Sequence, residues 1–244
     1  MDLSLTEEQQ MLRNTARDFM KREIPRWQVV KEIDESASGF SEELWRKMAE
    51  MGWLGMVIPE VYGGMGSSLT DLAVVYEELG KAALLMPFFS SAVLSASIIL
   101  EAGSEEQRKE LLPAIAQGGK ILTLALTEDD YGWEPECIRL SATRENGNFV
   151  LDGTKRFIHD AQVANQVICV ARTKESKDPA EGITLFLVDM DSPGLSRQDL
   201  TGYIGEKLNE LTFNSVEVPE SDILGEVDKG WCLINKRSAR WQMD

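Results

Sequence analysis

The sequence predicts an α+β protein: an N-terminal all-helical domain followed by a small β-domain, built as a barrel or as two packed sheets. Three observations predict it. From Leu5 to about Gly118 the apolar residues recur with the period of a helix. From about Ile121 short apolar runs alternate with turn residues, the pattern of strands. Helices first and strands second gives segregated elements rather than βαβ units, which argues against a Rossmann-type nucleotide domain. The 244 residues divide accordingly into a helical domain at 1–120, a β-domain at 121–228 and the start of a further helix at 229–244.

Residues 6–9 (TEEQ) read as a capping box, in which the Thr6 hydroxyl and the Gln9 side chain reciprocally satisfy end N–H groups. Leu12, Ala16, Phe19 and Met20 then share a face, and Pro25 ends the pattern. A second helix is expected from about Ser41, with Leu44, Met48 and Met51 inward and Gly52 as its stop. A third follows Ser68, burying Leu72, Val75, Tyr76 and Leu79 and ending at Gly80. Residues 90–101 read as a buried helix stopped by Gly103; residues 104–107 (SEEQ) open another, which Pro113 ends or kinks. Trp45, Met48, Met51 and Trp53 are assigned to the core. The stretch Gly63-Gly64-Met65-Gly66 is not GxGxxG and follows no parallel-sheet strand, so it reads as a tight connection between helices ahead of a place at the border of a ligand pocket.

In the second half, residues 121–126, 167–171 and 184–188 are expected strands. Asn146-Gly147 and Asp152-Gly153 bracket residues 149–151 as the two turns of a meander. A helix begins after Gly230 and takes in Trp231 to Trp241.

Charge narrows the function. Lys and Arg number 25 against 41 Asp and Glu, a formal net charge of −16, which repels phosphate backbones and anionic lipid and argues against nucleic-acid or membrane-surface binding. A phosphate-bearing ligand needs local cations or N–H donors. Cys137, Cys169 and Cys232 form no CxxC pair, and their odd number points to reduced thiols. Residues 1–10 are polar and acidic, unlike a targeting segment. The longest apolar stretch, around residues 88–100, is cut by serines and too short to span a bilayer. A cytoplasmic protein is expected.

Four segments in order carry a resemblance: MGWLGMVIPEVYGGMGSSLTDLAVVYEELGKA at 51–82, GSEEQRKELLPAIAQGGKILTLALTE at 103–128, LFLVDMDSPGLS at 185–196, and LTFNSVEVPESDILGEVDKGW at 211–231. Together they resemble the acyl-CoA dehydrogenase family over essentially the whole chain. The resemblance implies that family's N-terminal helical and central β-domains, with the chain ending near the start of a C-terminal helical domain. It implies α,β-dehydrogenation of an acyl-CoA thioester with FAD: a carboxylate base takes the α-proton while the β-hydrogen leaves as hydride to the flavin. The family's base lies in the C-terminal domain, so no residue here is assigned it. FAD contacts are implied for Leu126 and Thr127, with the Thr127 hydroxyl offered to the isoalloxazine edge. Gly132 and Trp133 are implied from the following loop, and Phe157, Ile158 and His159 from the element that the family writes Trp-Ile-Thr.

This sequence departs from the family in both elements. The family's Pro-Gly-Ala-Gly-Ser-Asp loop reads Asp129-Asp130-Tyr131-Gly132-Trp133-Glu134-Pro135 here. Asp129 and Asp130 read as solvated turn residues ahead of an acid/base role. Phe157 keeps the aromatic ring. His159, the single histidine, reads either as a surface-turn residue or as a donor near the flavin. Arg172 reads as a surface ion pair ahead of a CoA-phosphate contact. The partners implied are an acyl-CoA, a homo- or hetero-oligomer, and an electron-transfer flavoprotein or similar acceptor, with FAD held by this chain or only together with a partner chain. Two alternatives stand beside this reading: a non-catalytic module binding acyl-CoA or a partner on the same scaffold, and a related flavin oxidase or monooxygenase component.

Overall fold

The computed structural model describes residues 4–130, 132–202 and 206–240, and for residues 201 and 236–240 it describes the backbone alone. Tyr131 of the loop and residues 241–244 of the expected last helix lie outside the described residues.

The helical half comprises α1 (Glu7–Glu23), α2 (Trp27–Glu35), α3 (Glu42–Glu50), α4 (Leu69–Lys81), a π-helical segment at Phe88–Ser95 continuing into α5 (Ala96–Ala102), and α6 (Glu105–Ala116). The helix starts are chemical. Thr6, Ser68 and Ser104 each accept the N–H three residues on, and Gln9, Asp71 and Gln107 return the bond, giving three capping boxes. Helix α3 is capped by the Ser41 hydroxyl and stops before Gly52, which takes the left-handed conformation at φ 76°. Helix α1 packs on α4, and Ala16, Phe19, Met48, Trp53, Val75 and Phe88 fill the core between the helices.

Several expectations need correction. Met51, the cap residue just past the end of α3, is 38% exposed, and Tyr76, inside α4, is 46% exposed. Helix α4 passes through Gly80 and ends before Ala83, whose φ of 53° turns the chain. Pro113 lies inside α6, which continues to Ala116. Helix α2 had no reading at all, and none of its residues is buried.

The β half comprises β1 (Leu122–Ala125), β2 (Ser141–Glu145), β3 (Asn148–His159), β4 (Gln166–Arg172), β5 (Ile183–Asp189), β6 (Leu195–Thr201), β7 (Lys207–Pro219) and β8 (Ile223–Leu224), followed by α7 (Gly230–Arg240). The strand order is β6-β7-β3-β2-β4-β5-β8, with β1 parallel to β4 from Leu122↔Gln166 to Ala125↔Cys169. Strands β2 and β4 meet only at Ser141↔Arg172, so two antiparallel ladders fold face to face. Phe149, Leu151, Phe213 and Val216 of one pack against Val167, Cys169 and Phe186 of the other. A further core joins sheet to helices, with Ile99, Leu112 and Ile115 against Leu122, Ile168 and Leu185.

Asn146-Gly147 makes the β2–β3 hairpin turn, with φ 50° and 87°. Asp152-Gly153 does not turn the chain, which corrects the meander reading. Strand β3 runs straight through, and the irregularity is a bulge opposite, where Ser215 at φ 53° donates its N–H to Asp152 Oδ1 at 2.8 Å.

Gly63-Gly64-Met65-Gly66 is a tight connection, as read. A Cβ on Gly64 would lie 2.0 Å from the Ile58 carbonyl oxygen, whereas one on Gly80 would meet nothing within 4 Å. We therefore expect Gly64→Ala to destabilise the fold by more than about 2 kcal/mol. Gly80→Ala should stabilise it by about 0.5–1 kcal/mol through helix propensity. Chemical denaturation checks both, and equal effects would contradict the packing described.

Candidate functional site

A cavity of about 810 Å³ opens between the helical half and the end of β1. Its apolar wall includes Leu79 from α4, Leu84 and Met86 from the connection that follows, and Phe88, Phe89 and Leu94 from the π-helical segment. Its sheet side carries Thr123, Leu124, Leu126, Thr127, Phe157, His159 and Asp160, with Trp133 at the loop.

Strand β3 aims these groups by breaking its own register. Lys155 pairs with Leu211 and Ile158 with Asn209, so β3 holds one residue more than β7 between these pairs. The bulge places Phe157 at φ 59°, a conformation disfavoured for a bulky side chain, and puts it on the cavity. Arg156, within the bulge, spans Asp129 at 2.9 Å and Glu210 at 2.7 Å.

Behind the cavity lies a buried ion pair. The Lys155 side chain is fully buried, and its Nζ donates to Glu128 Oε1 at 2.7 Å and to the Leu126 carbonyl at 2.9 Å. Glu128 also accepts the backbone N–H groups of Arg139 and Leu140, each at 3.0 Å. One lysine and one glutamate thus fasten the end of β1 to β3 and to the far side of the 129–138 loop. The nearby Cys169 thiol is pushed up to about 12 by burial, so it is inert, and all three cysteines are free.

The residues read from the sequence fall into two groups. Leu126, Thr127, Trp133, Phe157 and His159 line the one cavity, while Gly132 and Ile158 do not. Ile158 is buried between the ladders. Gly132 sits where a Cβ would approach the Cys137 sulfur to 1.9 Å. The Thr127 hydroxyl donates to the Arg156 carbonyl, and its oxygen keeps a lone pair to accept from a ligand N–H. Trp133 is 71% exposed. Asp129 and Asp130 are paired with Arg156 and Arg139. Arg172 corrects its ion-pair reading: among the described residues its guanidinium donates to the carbonyls of Pro135, Ile138, Pro179 and Glu181, organising loops rather than meeting an acid.

Lys155 and Asp160 had not been singled out. Lys155 carried a signal, since counting in twos from Phe149 and Leu151 puts it on the core side of β3, where a lysine demands a partner. Asp160, at φ 60° just past β3, accepts the Ser90 hydroxyl at 2.5 Å. Burial raises its pKa, opposed by the Ser90 bond and the field of His159.

Removing one partner of the buried pair strands the other. We expect Lys155→Met to cost about 3–5 kcal/mol by denaturation, and the double variant Lys155→Met/Glu128→Gln to recover part of it. A cost below about 1 kcal/mol would contradict the pairing. The raised pKa of Asp160 fixes a sign. Its stability contribution is fully present below the ordinary carboxylate pKa and is lost as pH rises through the raised folded value. Asp160→Asn, uncharged throughout, should match the native chain in acid and exceed its Tm at pH values above that window. A difference constant with pH would contradict it.

Comparison with known proteins places this geometry. The acyl-CoA dehydrogenase N-terminal domain matches residues 6–119, and the acyl-CoA dehydrogenase middle domain matches residues 123–216. The chain is 33% identical over 236 residues to the 3-(aryl)acrylate reductase of Clostridium sporogenes, covering 95% of this chain and 62% of that protein. It is 32% identical over 231 residues to the caffeyl-CoA reductase-Etf complex subunit CarC of Acetobacterium woodii, covering 93% and 60%. The structure superposes on the ChsE4-ChsE5 complex of Mycobacterium tuberculosis with a TM-score of 0.84 at 26% identity, covering 98% of this chain and 61% of that one. The chain therefore spans about three-fifths of the length of these relatives. Among the described residues no helix is long and apolar enough to cross a membrane. The two matched domains, in this order and on this fold, make the chain a member of the acyl-CoA dehydrogenase family.

Proposed function

We propose that this chain supplies the helical and β-domain walls of an FAD site in a cytoplasmic enzyme that exchanges two hydrogens across the Cα–Cβ bond of an acyl-CoA. The observation that carries the reading is the convergence of Leu126, Thr127, Phe157 and His159 on one apolar-walled cavity. Relatives bearing acyl-CoA dehydrogenase and reductase names support it.

The residues present fit a flavin ring. The bulge turns the Phe157 ring onto the cavity, Thr127 keeps an acceptor lone pair, and the His159 imidazole stands beside them. Bound there, FAD would supply the hydride-accepting chemistry of the reaction. The chain's own part is to orient and to exclude water: Leu79, Leu84, Phe88 and Leu94 present apolar surface suited to an acyl chain. Asp34, Asp160 and Glu206 stand in the lining against Lys207 and His159, so a diphosphate draws its neutralising charge from elsewhere. That balance favours a site completed by further residues of this protein or by a partner chain, which would also bring the carboxylate base. The ChsE4-ChsE5 complex is one neighbour assembled from two differently named components, and the Etf complex to which a relative belongs supports an electron-transfer flavoprotein as the redox partner.

The visible absorption spectrum of the purified chain, alone and co-expressed with the product of its neighbouring gene, tests the reading. A flavin band in the co-purified complex is expected, and none in either sample would overturn it in favour of a binding module. His159→Ala in that complex should weaken flavin retention by roughly five- to thirty-fold, the scale of one lost hydrogen bond near a charge. Undiminished retention would remove His159 from the site.

A further inference from the structure

We propose that Asp160 and Ser90 form a polar subsite in the acyl wall that selects an acyl group carrying a hydroxyl. The inference rests on the acyl-CoA reading above and concerns which acyl group the cavity takes.

Ser90 belongs to the π-helical segment Phe88–Ser95, a geometry that recurs at functional sites because its widened turn re-aims side chains. Three serines interrupt this apolar segment, and each has a definite partner. Ser91 accepts the Leu122 N–H at 3.1 Å, and Ser95 donates to the Ser90 carbonyl at 2.7 Å. The Ser90 hydroxyl, itself buried, reaches across to Asp160 Oδ2 at 2.5 Å. The first two bonds hold the segment together, while the third spans the cavity's helical and sheet walls.

Asp160 is held rigidly for this task. Its backbone carbonyl accepts the N–H groups of Val163 and Ala164, each at 3.1 Å, and its φ of 60° is one that aspartate tolerates. Among the described residues Ser90 is the one side-chain donor to its carboxyl, so Oδ1 lacks a donor. The lining that Asp160 shares includes Leu79, Met86, Phe88, Leu94 and Leu124, which carry no donor, and Tyr76 and His159, which carry one but make no hydrogen bond to it among the described residues. Burial raises the phenol pKa of Tyr76, and the field of nearby Asp160 adds to it.

A saturated hydrocarbon filling this cavity would strip water from Oδ1 and return nothing, which is unfavourable for a carboxyl group. A ligand hydroxyl at that place donates to Oδ1. Discrimination of this kind is strong because the site pays for the unpaired group whenever the wrong ligand binds.

The test is calorimetric titration of the full chain, co-purified with its neighbouring gene's product, with decanoyl-CoA and a series of monohydroxylated decanoyl-CoAs differing in hydroxyl position. At least one isomer is expected to bind about ten-fold or more tighter than decanoyl-CoA. That advantage should shrink in Asp160→Asn and vanish in Asp160→Gly, both of which accept the positive φ. Hydroxylated isomers binding no tighter than decanoyl-CoA, or an advantage unchanged in the folded variants, would overturn the inference while leaving the acyl-CoA reading intact. No binding by any of these thioesters would overturn the acyl-CoA reading and this inference with it.

Discussion

The buried Lys155–Glu128 pair is the interaction on which the site's geometry depends. Strand β1 has four residues and pairs only with β4, so nothing in its own ladder fixes how its end meets β3. The ammonium of Lys155 closes that gap by bonding the Leu126 carbonyl and the Glu128 carboxylate at once. Glu128 passes the constraint on through the N–H groups of Arg139 and Leu140. Each charge is costly to bury alone, and the shared hydrogen bonds make the arrangement tolerable and specific in geometry. Leu126 and Thr127 leave this anchor directly into the cavity, and the Arg156 N–H donating to the Thr127 carbonyl at 2.9 Å extends the same seam.

From the anchor, the bulge in β3 sets where the cavity's ring and imidazole stand. Lys155 points into the core; one extra residue later the parity has switched, and Ile158 is the buried one. Phe157 is held in a backbone conformation that a free chain avoids, and it is over-determined by the ladder on either side. On the opposite wall the π-helical segment spends its serines on bonds to β1, to itself and to Asp160. Both walls are thus fixed by hydrogen bonds before any ligand arrives, which lowers the ordering cost of binding.

Much of this was legible in the sequence for local reasons. Capping boxes declare themselves within four residues, so Thr6, Ser68 and Ser104 could be read as helix starts. The Asn146-Gly147 hairpin was equally local. Asp152-Gly153 was not: the same dipeptide chemistry serves a turn or a bulge, and only the partner strand decides. Arg172 was misread because a guanidinium's five donors suit carbonyls as well as acids, and the loops that offer them are distant in sequence. Helix α2 buries no residue, so its apolar spacing gave no core-facing pattern to read. Of the cavity lining, the resemblance named Leu126, Thr127, Phe157 and His159, whereas Asp160 became visible only when Ser90 was brought against it from seventy residues away.

The claim that one buried pair holds the site together is tested most directly by residue-resolved hydrogen exchange of Lys155→Met against the native chain. The amides of Arg139, Leu140 and Arg156 should lose protection selectively, while those of α1 and α4 keep theirs. Protection lost evenly across both halves, or unchanged at Arg139 and Leu140, would contradict the account.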